Sequence, residues 1–216
     1  DPLPQPAAGH VAVYSPDSQV YVIGGYGYFL DMVPVASNLI RVYDCQQGKW
    51  QVLKTRLRTP RMYAAAAIIR DNTIIIAGGI GQGNNSLKTI EVFSPEMEKS
   101  AEEQIMCKYI GDMSAERRNP VINVLDENRV LISGNNMQPD IVEMKSDGSF
   151  TIRPTAGKMH YERNEHTTTR LNDGKICFIS GRRRSLEIFD PKTEKFTLMQ
   201  AQFKNFFDDQ AAATTF

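Results

Sequence analysis

The chain has 216 residues and 24.3 kDa, of which 41% are hydrophobic, with 25 basic side chains balanced by 25 acidic ones. This is enough apolar material for a sizeable core; it excludes the disordered class, and zero net charge lacks the broad basic field that nucleic-acid binding needs. The run "AAAAII" falls far short of the roughly 18 apolar residues of a membrane helix, and no charged-then-apolar leader precedes "DPLPQPAAGH", so no membrane partner is expected.

Three cysteines, Cys45, Cys107 and Cys177, are an odd number without paired spacing, which makes neither a disulfide framework nor a zinc cluster. They lean towards a reducing, cytoplasmic compartment. The start at Asp1 rather than Met reads as processing or as part of a longer chain.

The predicted elements recur. The first copy opens with a strand at "HVAVYS", turns at "SPDSQ", continues through "VYVI" to Gly24-Gly25, crosses "GYGYFLDMVPVASN", and adds "IRVYD" and a fourth strand marked by Trp50. The second runs "AAAAII", "RDN", "TIIIA", Gly78-Gly79, "IGQGNNS" and "IEVFS", with the long "SPEMEKSAEEQIMCKYIGD" before its last strand closes. The third runs "VINVL", "DEN", "VLIS", Gly134-Asn135 and the weaker "DIVEM", with Phe150 in the aromatic place. The fourth runs "TTTRL", "NDG", "ICFIS", Ser180-Gly181, three arginines, "LEIFD" and Phe196. The tail "QAAATTF" resembles the opening strand of a fifth copy. Counting back 17 residues from Gly24, Gly78, Gly134 and Ser180 reaches Ala7, Arg61, Arg117 and Arg163, so an arginine recurs in three of the four copies.

Four short strands in each repeat of roughly 50 residues, separated by turn signals, predict a β-propeller whose blades are twisted antiparallel sheets. The paired glycines after an apolar strand, the later "VYD" or "IFD", the following Trp50 or Phe196, and "TPRMYAA" or "ERNEHTT" at the repeat start make the sequence similar to the kelch-repeat family along essentially its whole length. The fold class expected is all-β, a kelch-type propeller with four complete four-stranded blades over 7–56, 57–113, 114–156 and 157–202, and the start of a fifth over 203–216. Kelch rings resemble closed circles of about five to seven blades, so further blades of a larger ring are expected to complete this one, with a closed four-bladed ring or closure by self-association as the alternatives.

In an up-and-down blade, the loops leading into the first strand and those joining second to third emerge on one face. That face is expected to gather Arg58, Arg61, Arg117, Arg118 and Arg163 with Arg182, Arg183 and Arg184, while Asp17, Asp71, Asp126, Glu127, Asp147 and Asp173 fall on the other. Guanidinium groups around a concave rim suit a carboxylate or phosphate, being planar forks of donors that stay ionised. A second reading of Arg61, Arg117 and Arg163 makes them framework residues bonding backbone carbonyls of a neighbouring blade. Tyr26, Tyr28 and Phe29 in the first connection, with Tyr63, add aromatic surface of the kind interfaces enrich.

The histidines His10, His160 and His166 form no metal set, and no nucleophile elbow, P-loop or zinc spacing appears, so no catalytic residue, metal or cofactor is expected. The leading functional expectation is a noncatalytic module recognising an acidic peptide or protein, as the substrate-reading part of a larger assembly. The alternative implied by the resemblance is a sialate-mutarotase-like carbohydrate enzyme, with Arg163 on a sugar carboxylate and Glu165 as acid or base.

Overall fold

A computed structural model of the chain describes residues 2–5, 7–28, 34–103, 105–181 and 184–202, with 28, 201 and 202 described by backbone alone. The tail over 203–216, where a fifth repeat is expected to start, lies outside the described residues.

The first sheet contains β1 (Val11–Ser15), β2 (Gln19–Ile23), β5 (Leu39–Asp44) and β6 (Lys49–Arg56) in that spatial order; between β2 and β5, β3 (Tyr26–Tyr28) and β4 (Pro34–Ala36) form a small separate hairpin. The second sheet is β7 (Ala65–Ile68), β8 (Ile74–Ala77), β9 (Thr89–Phe93) and, after the two-residue β10 (Ile105–Met106), β11 (Lys108–Asp112). The third is β12 (Val121–Val124), β13 (Arg129–Ser133), β14 (Asp140–Met144) and β15 (Phe150–Pro154), and the fourth is β16 (His166–Arg170), β17 (Ile176–Ser180), β18 (Ser185–Asp190) and β19 (Lys195–Gln202). Within each blade neighbouring strands are antiparallel. The first strands stand side by side, β1 next to β7, β7 next to β12 and β12 next to β16. The blades therefore form an arc, which does not close into a ring among the described residues.

Burial explains why the second strands read as unbroken apolar runs. A blade's middle strands are covered on both sides, so both alternating faces must be apolar. In β8 every residue is fully buried: Ile74 and Ile76 enter the core shared with blade 1, beside Tyr21, Ile23 and Ile40. Ile75 and Ala77 enter the core shared with blade 3, beside Val130 and Ile132. A third core, with Leu131, Phe178 and Phe189, joins blades 3 and 4. The apolar clusters thus lie between blades, and each blade gains its burial from its neighbours.

The small-residue step after each second strand takes left-handed backbone in all four copies. Gly79 has φ +92°, and a Cβ there would lie 2.5 Å from the Met62 carbonyl oxygen. Where copy three departs from glycine, Asn135 holds φ 54°, and where copy four departs, Ser180 holds φ 62°. Asn is among the few side chains that visit this region routinely.

The long segment of copy two does more than delay β11. Its β10 pairs in parallel with β6 of blade 1, adding a fifth strand to that sheet. Just before it, a short 3-10 turn over Pro95–Lys99 sets the Glu98 carboxylate to accept from the backbone N–H groups of Lys54 (3.2 Å) and Thr55 (2.8 Å). An outer edge that would otherwise present unpaired strand groups is covered by the next blade's chain.

Candidate functional site

The recurring arginines define the frame around the site. Arg61, Arg117 and Arg163 are all fully buried. Nη1 of each donates to the backbone carbonyl of the residue 17 positions on: Gly78 at 2.8 Å, Gly134 at 2.5 Å and Ser180 at 2.5 Å. Nη2 of each pairs with an acid on the third strand of its own blade, Glu91 at 2.7 Å, Asp140 at 2.5 Å and Glu187 at 2.8 Å. The same acids accept backbone N–H groups from the incoming loop, three residues before the arginine: Arg58 to Glu91 at 2.7 Å, Ser114 to Asp140 at 3.0 Å and His160 to Glu187 at 2.7 Å.

These three guanidiniums differ from an open rim. A buried cation requires a counter-charge, and the blade supplies one to each together with carbonyl acceptors, Arg117 Nε alone being left without a partner among the described residues; no side-chain surface remains on the three arginines for a ligand. The carbonyls they bond belong to the blade they lead into, not to a neighbour. Burial lowers the pKa of the Arg61 guanidinium from its ordinary value, against the opposing pull of Glu91.

What remains on the loop face is a groove. Tyr63, Arg118 and Glu165 line one hollow of about 480 Å³ together with Ile80, Pro120 and His166. It adjoins a second hollow of about 260 Å³ between Arg118, Asn119, Asn135, Asn164 and Glu165. Arg118 is half-buried, its Nη2 donates to Asn84 Oδ1 at 2.5 Å, and its backbone N–H donates to Asn135 Oδ1 at 3.1 Å. Tyr63 is 43% exposed and packs on Tyr26, with ring centroids 5.8 Å apart and its hydroxyl donating to that of Tyr26 at 3.3 Å. Tyr63 and Glu165 share the position two residues after the recurring arginine, and both have positive φ, 54° and 55°.

His166 forms part of the groove wall while being 5% exposed. Its Nε2 shares a hydrogen bond of 2.8 Å with the Ser133 hydroxyl, and its ring stacks on Phe178. Burial, reinforced by the positive charges of Arg163 and Arg117, pushes its pKa down to about 4, so at neutral pH it presents an uncharged ring. His160 Nδ1 lies 2.9 Å from Glu187 Oε2, and His10 Nδ1 lies 3.0 Å from the Ala7 carbonyl oxygen.

Of the twelve residues singled out from the sequence, the structure brings Tyr63, Arg118 and Glu165 together, with Tyr26 against Tyr63. Arg184 is exposed before β18. The side chain of Tyr28, and Phe29, Arg182 and Arg183 altogether, lie outside the described residues. Sequence reasoning missed the acids Glu91, Asp140 and Glu187, although Glu91 and Glu187 stand second in "IEVFS" and "LEIFD". It also missed Asn84, Asn119 and Asn164, for which no periodic signal exists, and read Asn135 only as the residue standing in for the second glycine. Among the described residues no group of three or more His, Cys, Asp or Glu side chains could hold a metal ion, and no helix is long and apolar enough to cross a membrane.

Comparison with known proteins agrees with this architecture. Residues 8–55 match the kelch motif. The solved structure of YjhT superimposes with a TM-score of 0.71 at 10% identity, covering 89% of this chain and 70% of that one, a likeness of fold alone. No curated protein matches. A kelch motif over residues 8–55, and four four-stranded antiparallel sheets that superimpose on a solved fold, give this chain the architecture of a β-propeller array.

Proposed function

We propose that the chain is a noncatalytic recognition module that captures an acidic peptide or protein segment in the loop-face groove, as the substrate-reading part of a larger assembly. The observation that carries this reading is the convergence of Arg118 with Tyr63 on one concave surface, Tyr63 being backed by the tilted ring of Tyr26. Arginine beside exposed aromatics is the composition of interface anchors, and a half-buried guanidinium binds a carboxylate more strongly than a fully solvated one. Glu165, which lines the same hollows, gives the groove a direction, since an acidic segment is drawn towards Arg118 and repelled from Glu165.

The test is fluorescence anisotropy with a labelled ten-residue peptide of alternating Asp and Gly. Arg118→Glu should weaken binding by at least roughly tenfold, the loss of one charge-assisted contact, and Tyr63→Ala by a comparable factor. Affinity should fall as salt rises. Binding that ignores both substitutions would refute the assignment of the groove.

A second reading has one observation in its favour. Arg118 and Glu165 line the same small hollow, so a cation for a sugar carboxylate and a proton-transferring group share its walls. With Arg163 enclosed by Glu187, Arg118 takes the carboxylate-binding role in this reading. Accelerated interconversion of N-acetylneuraminate anomers, followed by proton NMR and lost in Glu165→Gln, would favour it; rates equal to buffer would dismiss it.

A further inference from the structure

Blade 1 breaks the arginine–acid rule in a coordinated way. At the position that Arg61, Arg117 and Arg163 hold in the other blades it has Ala7. Strand pairing gives the matching position on the third strand: Glu91 faces Ile76, Asp140 faces Ile132 and Glu187 faces Phe178, each two residues before the small-residue step. In blade 1 that place, opposite Val22, belongs to Arg41. The position three residues before the recurring arginine, whose N–H bonds the acid elsewhere, is Pro4, which has no N–H. Acid, arginine and backbone donor are all replaced, and the sign of the buried charge is reversed.

Arg41 is 2% exposed, and its Nε and Nη1 are buried without a hydrogen-bond partner among the described residues. Its strand neighbours Ile40 and Val42 enter the core with blade 2, so Arg41 points to the side of the sheet that no described blade covers. There it lines a cavity of about 310 Å³ with Gln5, Ala7, Tyr26, Ser37 and Asn38. Burial and, after it, the nearby charge of Arg56 push its pKa below the ordinary value, and no carboxylate opposes the shift as Glu91 does at Arg61. Elsewhere in the molecule every fully buried arginine has a carboxylate within 2.8 Å among the described residues.

We propose that this cavity is a carboxylate-binding site, with Arg41 as the anchoring cation and the polar groups of the 37–38 turn and Gln5 at its margins. Truncation to Ala7 leaves the space that an arginine fills in the other blades, and Arg41 presents a fork of donors that only an acceptor from outside the blade can complete. The carboxylate is that of a free small acid or of an Asp or Glu side chain on a bound polypeptide. The site is separate from the groove proposed above. Tyr26 forms part of its wall, and Tyr63, whose ring packs tilted against it, forms part of the groove.

The experiment is thermal unfolding of the whole chain at constant ionic strength, with chloride replaced stepwise by acetate in one arm and with the alternating Asp-Gly peptide added in the other. Three proteins are compared: the native sequence, Arg41→Met, which removes the buried charge, and Ala7→Arg with Arg41→Glu, which rebuilds the pair of the other blades. Acetate should raise the native midpoint by about 2–4 °C or more and leave both variants unmoved. With Arg118→Glu added to all three proteins in the peptide arm to silence the groove, a rise with peptide alone, again absent from both Arg41 variants, would identify the source as a polypeptide. No rise in either arm, or equal rises in all three proteins, would overturn the proposal. Anisotropy with Arg118→Glu reads the groove independently, so failure of one site does not disguise failure of the other.

Discussion

Replacing Glu91 by Gln preserves the side chain's shape and removes its charge. The Glu91 carboxylate accepts from Arg61 Nη2 at 2.7 Å, Arg58 N at 2.7 Å and Thr59 N at 2.9 Å, using both oxygens. A Gln amide can keep one acceptor oxygen, but its NH₂ group then faces a donor, so at least one buried N–H is orphaned at a cost of about 1–3 kcal/mol. Arg61 meanwhile retains its bonds to the Gly78 and Thr89 carbonyls but loses its counter-charge. Breaking one partner of a buried pair costs about 3–5 kcal/mol in total, which at about 2–4 °C per kcal/mol for a chain of this size lowers the midpoint by roughly 6–20 °C. Urea unfolding followed by circular dichroism measures it, with Glu96→Gln as control, since the Lys99–Glu96 pair is 73% exposed on both sides and should change stability by less than about 1 kcal/mol. Adding Arg61→Met to Glu91→Gln should cost less than the sum of the single changes, because no uncompensated cation remains. A Glu91→Gln effect no larger than the control, or a strictly additive double variant, would refute the account of these pairs as charge-compensated framework.

His166 makes the fold acid-sensitive. Its native pKa of about 4 lies below the ordinary 6.5, so the unfolded chain binds the extra proton first; stability present above pH 6.5 is lost as pH falls towards 4, by roughly 3 kcal/mol. His166→Phe should flatten that part of the pH–stability curve, and an unchanged slope would discount the histidine. Of the three thiols, exposed Cys45 should react with a disulfide reagent in the native protein, whereas buried Cys107, its pKa pushed up to about 12, and Cys177, also raised by burial, should react only on unfolding; two fast thiols in the native state would contradict this. Gly79→Ala should destabilise by at least about 1–3 kcal/mol through left-handed strain and collision with the Met62 carbonyl, while Asn135→Gly should stay within about 1 kcal/mol of the native chain, as equilibrium unfolding will show.

The blades were legible because two periodicities coincide in them. A run such as "TIIIA" is apolar at every position because two cores flank it, and the step that follows must accept positive φ, a demand that glycine answers most easily. Asn135 and Ser180 look like departures in the alphabet but meet the same backbone condition, which residue letters alone conceal. The arginine spacing was equally visible, and its length is now explained by the carbonyl each guanidinium reaches. Its meaning was less so, because spacing records which loop a side chain leaves and says nothing of which way it turns. Arg117 and Arg118 are adjacent in the chain, yet one is sealed beside Asp140 and the other opens on the groove. Reading the second letter of "IRVYD", "IEVFS" and "LEIFD" as a column would have paired the acids with their arginines and exposed Arg41 as the exception. The asparagines of the groove come from loops of unequal length, and only folding brings them together.

The short parallel strand that blade 2 lends to blade 1 also has a temporal meaning. Thr55 and Arg56 leave the ribosome about fifty residues before Ile105 and Met106, which at ordinary elongation speeds is a wait of roughly 2–10 s. Through that interval the nascent first blade has an uncapped rim, vulnerable to pairing with another emerging chain. Sealing it commits two successive repeats to one another, so that neither can later peel away without uncovering its companion.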